Sequence, residues 1–228
     1  MAEQLIGAIE AGGTKFVLAL AREDGAILAE TRIATRTPAE CFPDIADFFS
    51  QAAAAHGAIG GFGVASFGPI DIDPASPAYG TFTTTPKPGW SGARFHDVLG
   101  QFGAPIVVDT DVNGAALGEW QGGAGQGCTT LAYTTIGTGV GTGVVRDGKP
   151  LMGFSHYESG HILPPHDRAA DLRGLGDPLV RPEHAQYAGI QLDKFHAVRP
   201  CPDQRRNRPR LIQKADQRKR PGWHLDQA

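Results

Sequence analysis

An α/β fold is predicted by three observations on the sequence. Runs rich in β-branched and apolar residues alternate with segments of helical periodicity. A glycine-bent meander near the amino terminus, IGAIEAGGTK followed by the strand Phe16 to Leu20, has a second copy of similar plan from Leu131, LAYTTIGTGVGTGVVRDGKPL. Each copy then carries an Asp-Gly dipeptide, Asp24-Gly25 in the first and Asp147-Gly148 in the second, which signals a type I′ hairpin and so a third strand.

In the first copy an apolar run enters two adjacent glycines, Gly12 and Gly13, then Thr14 and Lys15. Glycines let the main chain approach a bulky anion, while N–H groups, the Thr14 hydroxyl and the Lys15 ammonium can face phosphate oxygens. Glu10, at the end of the first strand, suits a magnesium ion held by those phosphates. An ordinary tight hairpin has the same local sequence. The P-loop pattern G-x-x-x-x-G-K-[ST] is absent. The duplication favours two lobes facing one phosphate chain, hence a nucleotide.

Beyond the first meander, which ends near Ile33, Thr37-Pro38-Ala39-Glu40 combines an N-cap, a first-turn proline and a capping-box acid. Ile45, Phe48, Phe49 and Ala52 follow at helical spacing, and Gly57 is a stop. Pro43 either kinks that helix or begins it afresh. Ile59 to Phe67 is a glycine-diluted buried strand running into Ser66-Phe67-Gly68-Pro69, a loop at a strand terminus, where open α/β sheets place ligands. The long segment from Asp71 to Trp90 lacks periodicity, and its aromatics Tyr79, Phe82 and Trp90 favour an ordered, ligand-facing loop or one pinned to the core. A short helix with Phe95, Val98 and Leu99 on its apolar side precedes the strand Pro105 to Val108. A helix through Ala115, Ala116 and Leu117 comes next and loosens at Gly122, Gly123 and Gly125.

The junction Asp109-Thr110-Asp111-Val112-Asn113 puts two carboxylates and an amide between a strand's carboxyl end and a helix start. Capping by Asp111 accounts for one acid without chemistry, and two acids so close can divide capping and proton acceptance. After the second meander, Glu158 and His161 in Ser155-His156-Tyr157-Glu158-Ser159-Gly160-His161 can hydrogen-bond adjacent hydroxyls of a polyol, or stand as a surface acid and a satisfied histidine.

Composition is that of an ordinary globular protein. No run approaches the roughly 18 apolar residues of a membrane span, and the start lacks a basic region followed by an apolar segment, which points to the cytosol. Cys41, Cys128 and Cys201 lie far apart, without C-x-x-C spacing, and give neither a disulfide framework nor a complete zinc site. Residues 1–165 hold eight Lys and Arg against sixteen Asp and Glu, a charge of −8. Residues 166–228 hold thirteen against eight, +5.

Six motifs in order, IEAGGTK, SFGPID, TTPKPGW, DTDVNGAALGE, TIGTGVGTG and ESGH, resemble the ROK family of sugar kinases and repressors, and most closely its bacterial fructokinases, over roughly residues 6–163. The resemblance implies an actin-like ATPase (ribonuclease H-like) fold of two lobes, the second incomplete here, with ATP and magnesium between the hairpins and a hexose in the cleft. It assigns Asp111 as catalytic base and Gly12, Gly13, Thr14, Lys15, Gly137, Thr138 and Gly139 to the ATP phosphates. Glu158 and His161 fall on the family's sugar-binding E-x-G-H, and His161 also on the family's structural zinc; with Asp111 and with Gly68 and Pro69 of the strand-end loop they make the expected sugar set, and Glu10 beside the bend remains the expected magnesium residue. Thr110 stands where relatives often have Asn, a departure that bears on one expected sugar contact. The implied activity is phosphorylation of D-fructose to fructose 6-phosphate, with glucose, mannose or an N-acetylated sugar as other substrates and an inactive sugar-binding remnant as the alternative. A homodimer is implied, and neither nucleic acid nor membrane is an expected partner. A repressor of the family is disfavoured, since only five residues precede Ile6.

After Pro165 the family pattern stops. No cysteine-rich zinc loop follows, and Cys201 is the sole downstream cysteine. The expected organisation is an amino-terminal α/β lobe over 1–118, the start of a second lobe over 119–165, and a basic, poorly ordered tail over 166–228. A shifted reading frame, a divergent segment and a basic nucleic-acid arm are the three accounts of that tail, the first implying a truncated kinase with exposed strand faces and little activity.

Overall fold

The computed structural model describes residues 4–136 and 140–152, and the backbone of 196–199 and 210–212. Two five-stranded sheets organise them. The first contains β1 (Leu5–Ala11), β2 (Lys15–Arg22), β3 (Ile27–Ala34), β4 (Ile59–Ser66) and β5 (Ile106–Thr110) in the order β3-β2-β1-β4-β5. β1, β2 and β3 form the predicted antiparallel meander, whereas β1, β4 and β5 run parallel. The second contains β6 (Thr130–Ile136), β7 (Val140–Arg146), β8 (Lys149–Pro150), β9 (His196–Arg199) and β10 (Arg210–Ile212) in the order β10-β9-β6-β7-β8. The second meander is therefore present as β6, β7 and β8, and β9 and β10 arise within residues 166–228, the expected basic tail.

The two Asp-Gly turns differ. Asp147 and Gly148 both have positive φ, 51° and 77°, as the predicted type I′ turn requires. At the first copy only Gly25 does, at 88°, and its N–H donates to the Arg22 carbonyl at 2.9 Å while Arg22 N–H donates to Ala26. Glu23 joins the loop, which makes three residues and corrects the type I′ expectation to a turn followed by a left-handed glycine.

Alternation along β1 sends Leu5, Ile9 and Ala11 to one face, where α1 (Pro38–His56) covers them with Cys41, Ile45, Phe49 and Ala52. Gly7 belongs to this row because a Cβ there would lie 2.4 Å from the Phe62 ring. The capping box forms as predicted: Thr37 N–H and Oγ1 both donate to the Glu40 carboxylate, at 3.1 and 2.6 Å. The helix continues through Pro43. α2 (Phe95–Leu99) buries Phe95, Val98 and Leu99 as expected and ends in a 3-10 turn, Gly100–Phe102.

The segment from Asp71 to Trp90 is ordered by its own polar groups. The Asp71 carboxylate accepts from Asp73 N–H at 3.0 Å and Ser76 Oγ at 2.6 Å, and bridges pair Ile70 with Phe82 and Thr81 with Arg94. Its aromatics face inward, which corrects the ligand-facing alternative. Phe82 and Trp90 are buried among Phe16, Phe67 and Phe95, and the Trp90 indole N–H donates to the Arg36 carbonyl at 2.8 Å.

α3 (Asp111–Gly122) lies on the opposite face of the first sheet and also touches the second. Glycines permit both approaches. A Cβ on Gly114 would stand 2.5 Å from the Ala65 Cβ, and one on Gly143 of β7 would stand 2.3 Å from the Val112 carbonyl oxygen. Val112, Ala116, Tyr133 and Val145 form a small separate core there, flanked by Trp120.

Candidate active site

Three parallel strands bring the first bend, Gly68, Pro69 and Asp111 to one end of the first sheet. Ala11, Ser66 and Thr110 are register partners across β1, β4 and β5. The next residues along these strands are the Gly12-Gly13-Thr14 bend, the Phe67-Gly68-Pro69 loop and Asp111. Carboxyl ends of adjacent parallel strands are where such sheets open to ligands.

In the bend, Gly12 N–H donates to the Lys15 carbonyl at 3.0 Å, leaving Gly13 and Thr14 as a two-residue turn. A Cβ on Gly12 would sit 2.9 Å from that same carbonyl oxygen, so the closure requires glycine. The carbonyls of Gly12, Gly13 and Thr14 are all engaged from within the protein. Thr35 Oγ1 donates to Gly12 at 2.7 Å, Lys87 Nζ donates to Gly13, and Thr35 N–H donates to Thr14 at 3.0 Å. In a trans peptide the N–H points opposite the carbonyl, so the N–H groups of Gly13 and Thr14 are directed away from Thr35 and Lys87. Gly13, Thr14 and Lys15 are exposed.

Glu10, Ala65 and Asp109 share the next register row, on the face that carries α3. Glu10 is exposed, one residue before the buried Ala11. Asp109 is taken up by structure: its Oδ1 accepts from Thr110 N–H and from Asn113 Nδ2, both at 2.7 Å. Thr110, buried at 3 % exposure, is the cap of α3, its Oγ1 accepting from Asn113 N–H at 3.2 Å. Asp111 is thus the first residue inside the helix, and the expectation that it caps is corrected by one position. Its Oδ1 accepts from Val112 N–H at 2.9 Å, and the half-buried carboxylate stands at the helix's positive end.

Tyr133 of β6 links the second sheet to this end. Burial first, and then the carboxylates of Glu10, Glu119 and Asp111, push its hydroxyl up to about 12, against a hydrogen bond with Thr135. Among the described residues no group of three or more His, Cys, Asp or Glu side chains is placed to hold a metal. Glu10 remains the acid beside the bend. Gly137, Thr138, Gly139, Glu158, His161 and Cys201 lie outside the described residues, although Ile136 and Val140 on either side of the second bend are paired.

Sequence reasoning gave no role to Lys87 or to Tyr133. For Lys87 the only available signal was its place in TTPKPGW. Nothing local distinguishes Tyr133 from a core tyrosine.

The model of the ROK family matches residues 6–175. The chain belongs to the ROK family. Among its curated relatives are the fructokinase of Zymomonas mobilis subsp. mobilis, 45% identical over 171 residues covering 73% of this chain and 57% of that protein, and a putative fructokinase of Bacillus subtilis, 44% identical over 159 residues covering 69% and 52%. Among solved structures, a ROK family glucokinase from Streptomyces griseus in complex with glucose and AMPPNP superposes with a TM-score of 0.53 at 32% identity, covering 65% of this chain and 46% of that one. The fold of this ROK chain is the actin-like ATPase fold. The chain spans about half the length of the curated relatives it matches. No helix among the described residues is long and apolar enough to cross a membrane.

Proposed function

We propose that this ROK chain is an ATP-dependent hexose kinase that phosphorylates D-fructose at its 6-hydroxyl. The observation carrying this reading is the common register of β1, β4 and β5, which puts the Gly12 to Lys15 bend and Asp111 at the same end of the sheet, on either side of β4. Fructokinases among the curated relatives support fructose as the acceptor.

In this mechanism the N–H groups of Gly13 and Thr14, the Thr14 hydroxyl and Lys15 hold phosphate oxygens, joined by Gly137, Thr138 and Gly139 of the second bend. Gly68, Pro69, Glu158 and His161 orient the sugar. Asp111 accepts the proton as the sugar oxygen bonds to the γ-phosphorus and the bond to the β-phosphate oxygen breaks, releasing ADP. The protein's part in such a transfer is mainly positioning and charge. Magnesium, when bound, neutralises charge on the phosphate chain, and the exposed Glu10 is the carboxylate that would help to hold it. A structural zinc forms no part of this reading.

The full chain, incubated with ATP, magnesium and each hexose in turn, tests the reading by release of ADP and appearance of sugar phosphate. Turnover greatest with fructose is the expected result, and preference for glucose or mannose overturns the choice of sugar. Fructose binding without turnover replaces the kinase by a sugar-binding chain. Sedimentation checks the homodimer.

A further inference from the structure

Lys87 projects from the loop between β4 and α2 onto the Gly12 to Lys15 bend. Its Nζ donates to the Gly13 carbonyl and lies 5.3 Å from the centroid of the Phe67 ring. A Cβ built on Gly13 would meet its Cε and Nζ at 3.6 and 3.7 Å. Both ends of this tether are fixed. On the loop side, Trp90 is buried at 1 % exposure against Phe67 and Phe82, and Trp90 N–H donates to the Lys87 carbonyl. On the strand side, Phe67 N–H donates to the Ala11 carbonyl at 2.8 Å, which ties the ring beneath the ammonium to the end of β1.

We infer that Lys87 is a positioning residue for nucleotide phosphate, acting through the Gly13 carbonyl. This inference rests on reading the bend as a phosphate site. Two physical consequences follow from its placement. Holding the Gly13 carbonyl inward holds the N–H of the same peptide, that of Thr14, outward, so the bend is set before any anion arrives. The ammonium also leaves a positive charge behind a turn whose outer surface would receive phosphate oxygens, which favours an anion there over a neutral ligand. The cation over the Phe67 ring keeps that charge at one place rather than free in solvent. A neutral side chain of similar length retains the packing and loses the charge, and one without a donor loses the carbonyl contact as well.

The test compares Lys87→Met, Lys87→Gln and Lys87→Arg in the full chain, with binding of a non-hydrolysable ATP analogue and of fructose measured separately by calorimetry and the melting midpoint recorded. Lys87→Met is expected to weaken the analogue about tenfold or more, to leave fructose affinity within about twofold, and to be rescued to within about threefold by Lys87→Arg. Lys87→Gln is expected to fall between them. It carries the comparison alone if Lys87→Met does not fold. Equal analogue affinity in all variants, or parallel weakening of analogue and fructose, overturns the inference while leaving the phosphate site standing. A wild-type chain that binds fructose but no nucleotide removes the phosphate reading, and this inference with it.

Discussion

The Tyr79 hydroxyl makes two hydrogen bonds to one residue of the edge strand β5, accepting from Val108 N–H at 2.7 Å and donating to Val108 C=O at 2.9 Å. It takes the place that a further strand would occupy beside a residue only 2 % exposed. Tyr79→Phe removes both bonds and leaves two backbone groups without partners. The expected loss is about 1–3 kcal/mol of unfolding free energy, read by urea denaturation, with sugar and nucleotide binding unchanged.

Thr110 and Asp111 separate capping from chemistry. Thr110→Ala removes the cap of α3 and is expected to cost about 0.5–2 kcal/mol in stability with turnover reduced less than Asp111→Asn reduces it. Asp111→Asn keeps the helix and is expected to lower kcat by about 10²- to 10⁴-fold with little change in melting temperature. Unchanged turnover in Asp111→Asn would sink the assignment of that residue as the base.

Gly143 and Gly63 form a contrast within the strands. A Cβ at Gly143 would run into the Val112 carbonyl oxygen, whereas at Gly63 of β4 nothing lies within 4 Å. Gly143→Ala is expected to destabilise by about 1–3 kcal/mol. Gly63→Ala is expected to be neutral or slightly stabilising in the same thermal melts.

His96 stands beside the Tyr79 ring, its buried Nδ1 without a hydrogen-bond partner. Burial, and then the charge of Arg94, lower its pKa from the ordinary 6.5, against a smaller opposing effect of Asp97. Below about 6.5 the unfolded chain therefore binds a proton that the folded one resists. Stability should fall as pH drops through 6.5 and level off below the folded pKa. His96→Gln is expected to flatten the melting temperature between about pH 7 and pH 5, and an unaltered slope would show that other groups carry it.

Much of this molecule was legible because its strongest signals are local. The capping box at Thr37 and Glu40, the apolar positions of α1 and the type I′ turn at Asp147 and Gly148 each follow from a few adjacent residues. The errors fall where two neighbours are equally suited. Thr110 and Asp111 are both good caps, and the phase at which β5 becomes α3 decides between them. At Asp24-Gly25 the irregular register near Leu20 and Ala21 lengthens the loop by one residue, which the dipeptide does not encode. The inward aromatics Phe82 and Trp90, and the reach of Lys87 to Gly13, depend on tertiary packing between segments distant in sequence. The bend's glycines were readable, but not that their carbonyls are all held from within.

Gly114 against Ala65 and Gly143 against Val112 leave no room for a side chain on either flank of the first turn of α3. The carboxylate at position 111 is therefore mounted on a wedge gripped by both halves of the molecule.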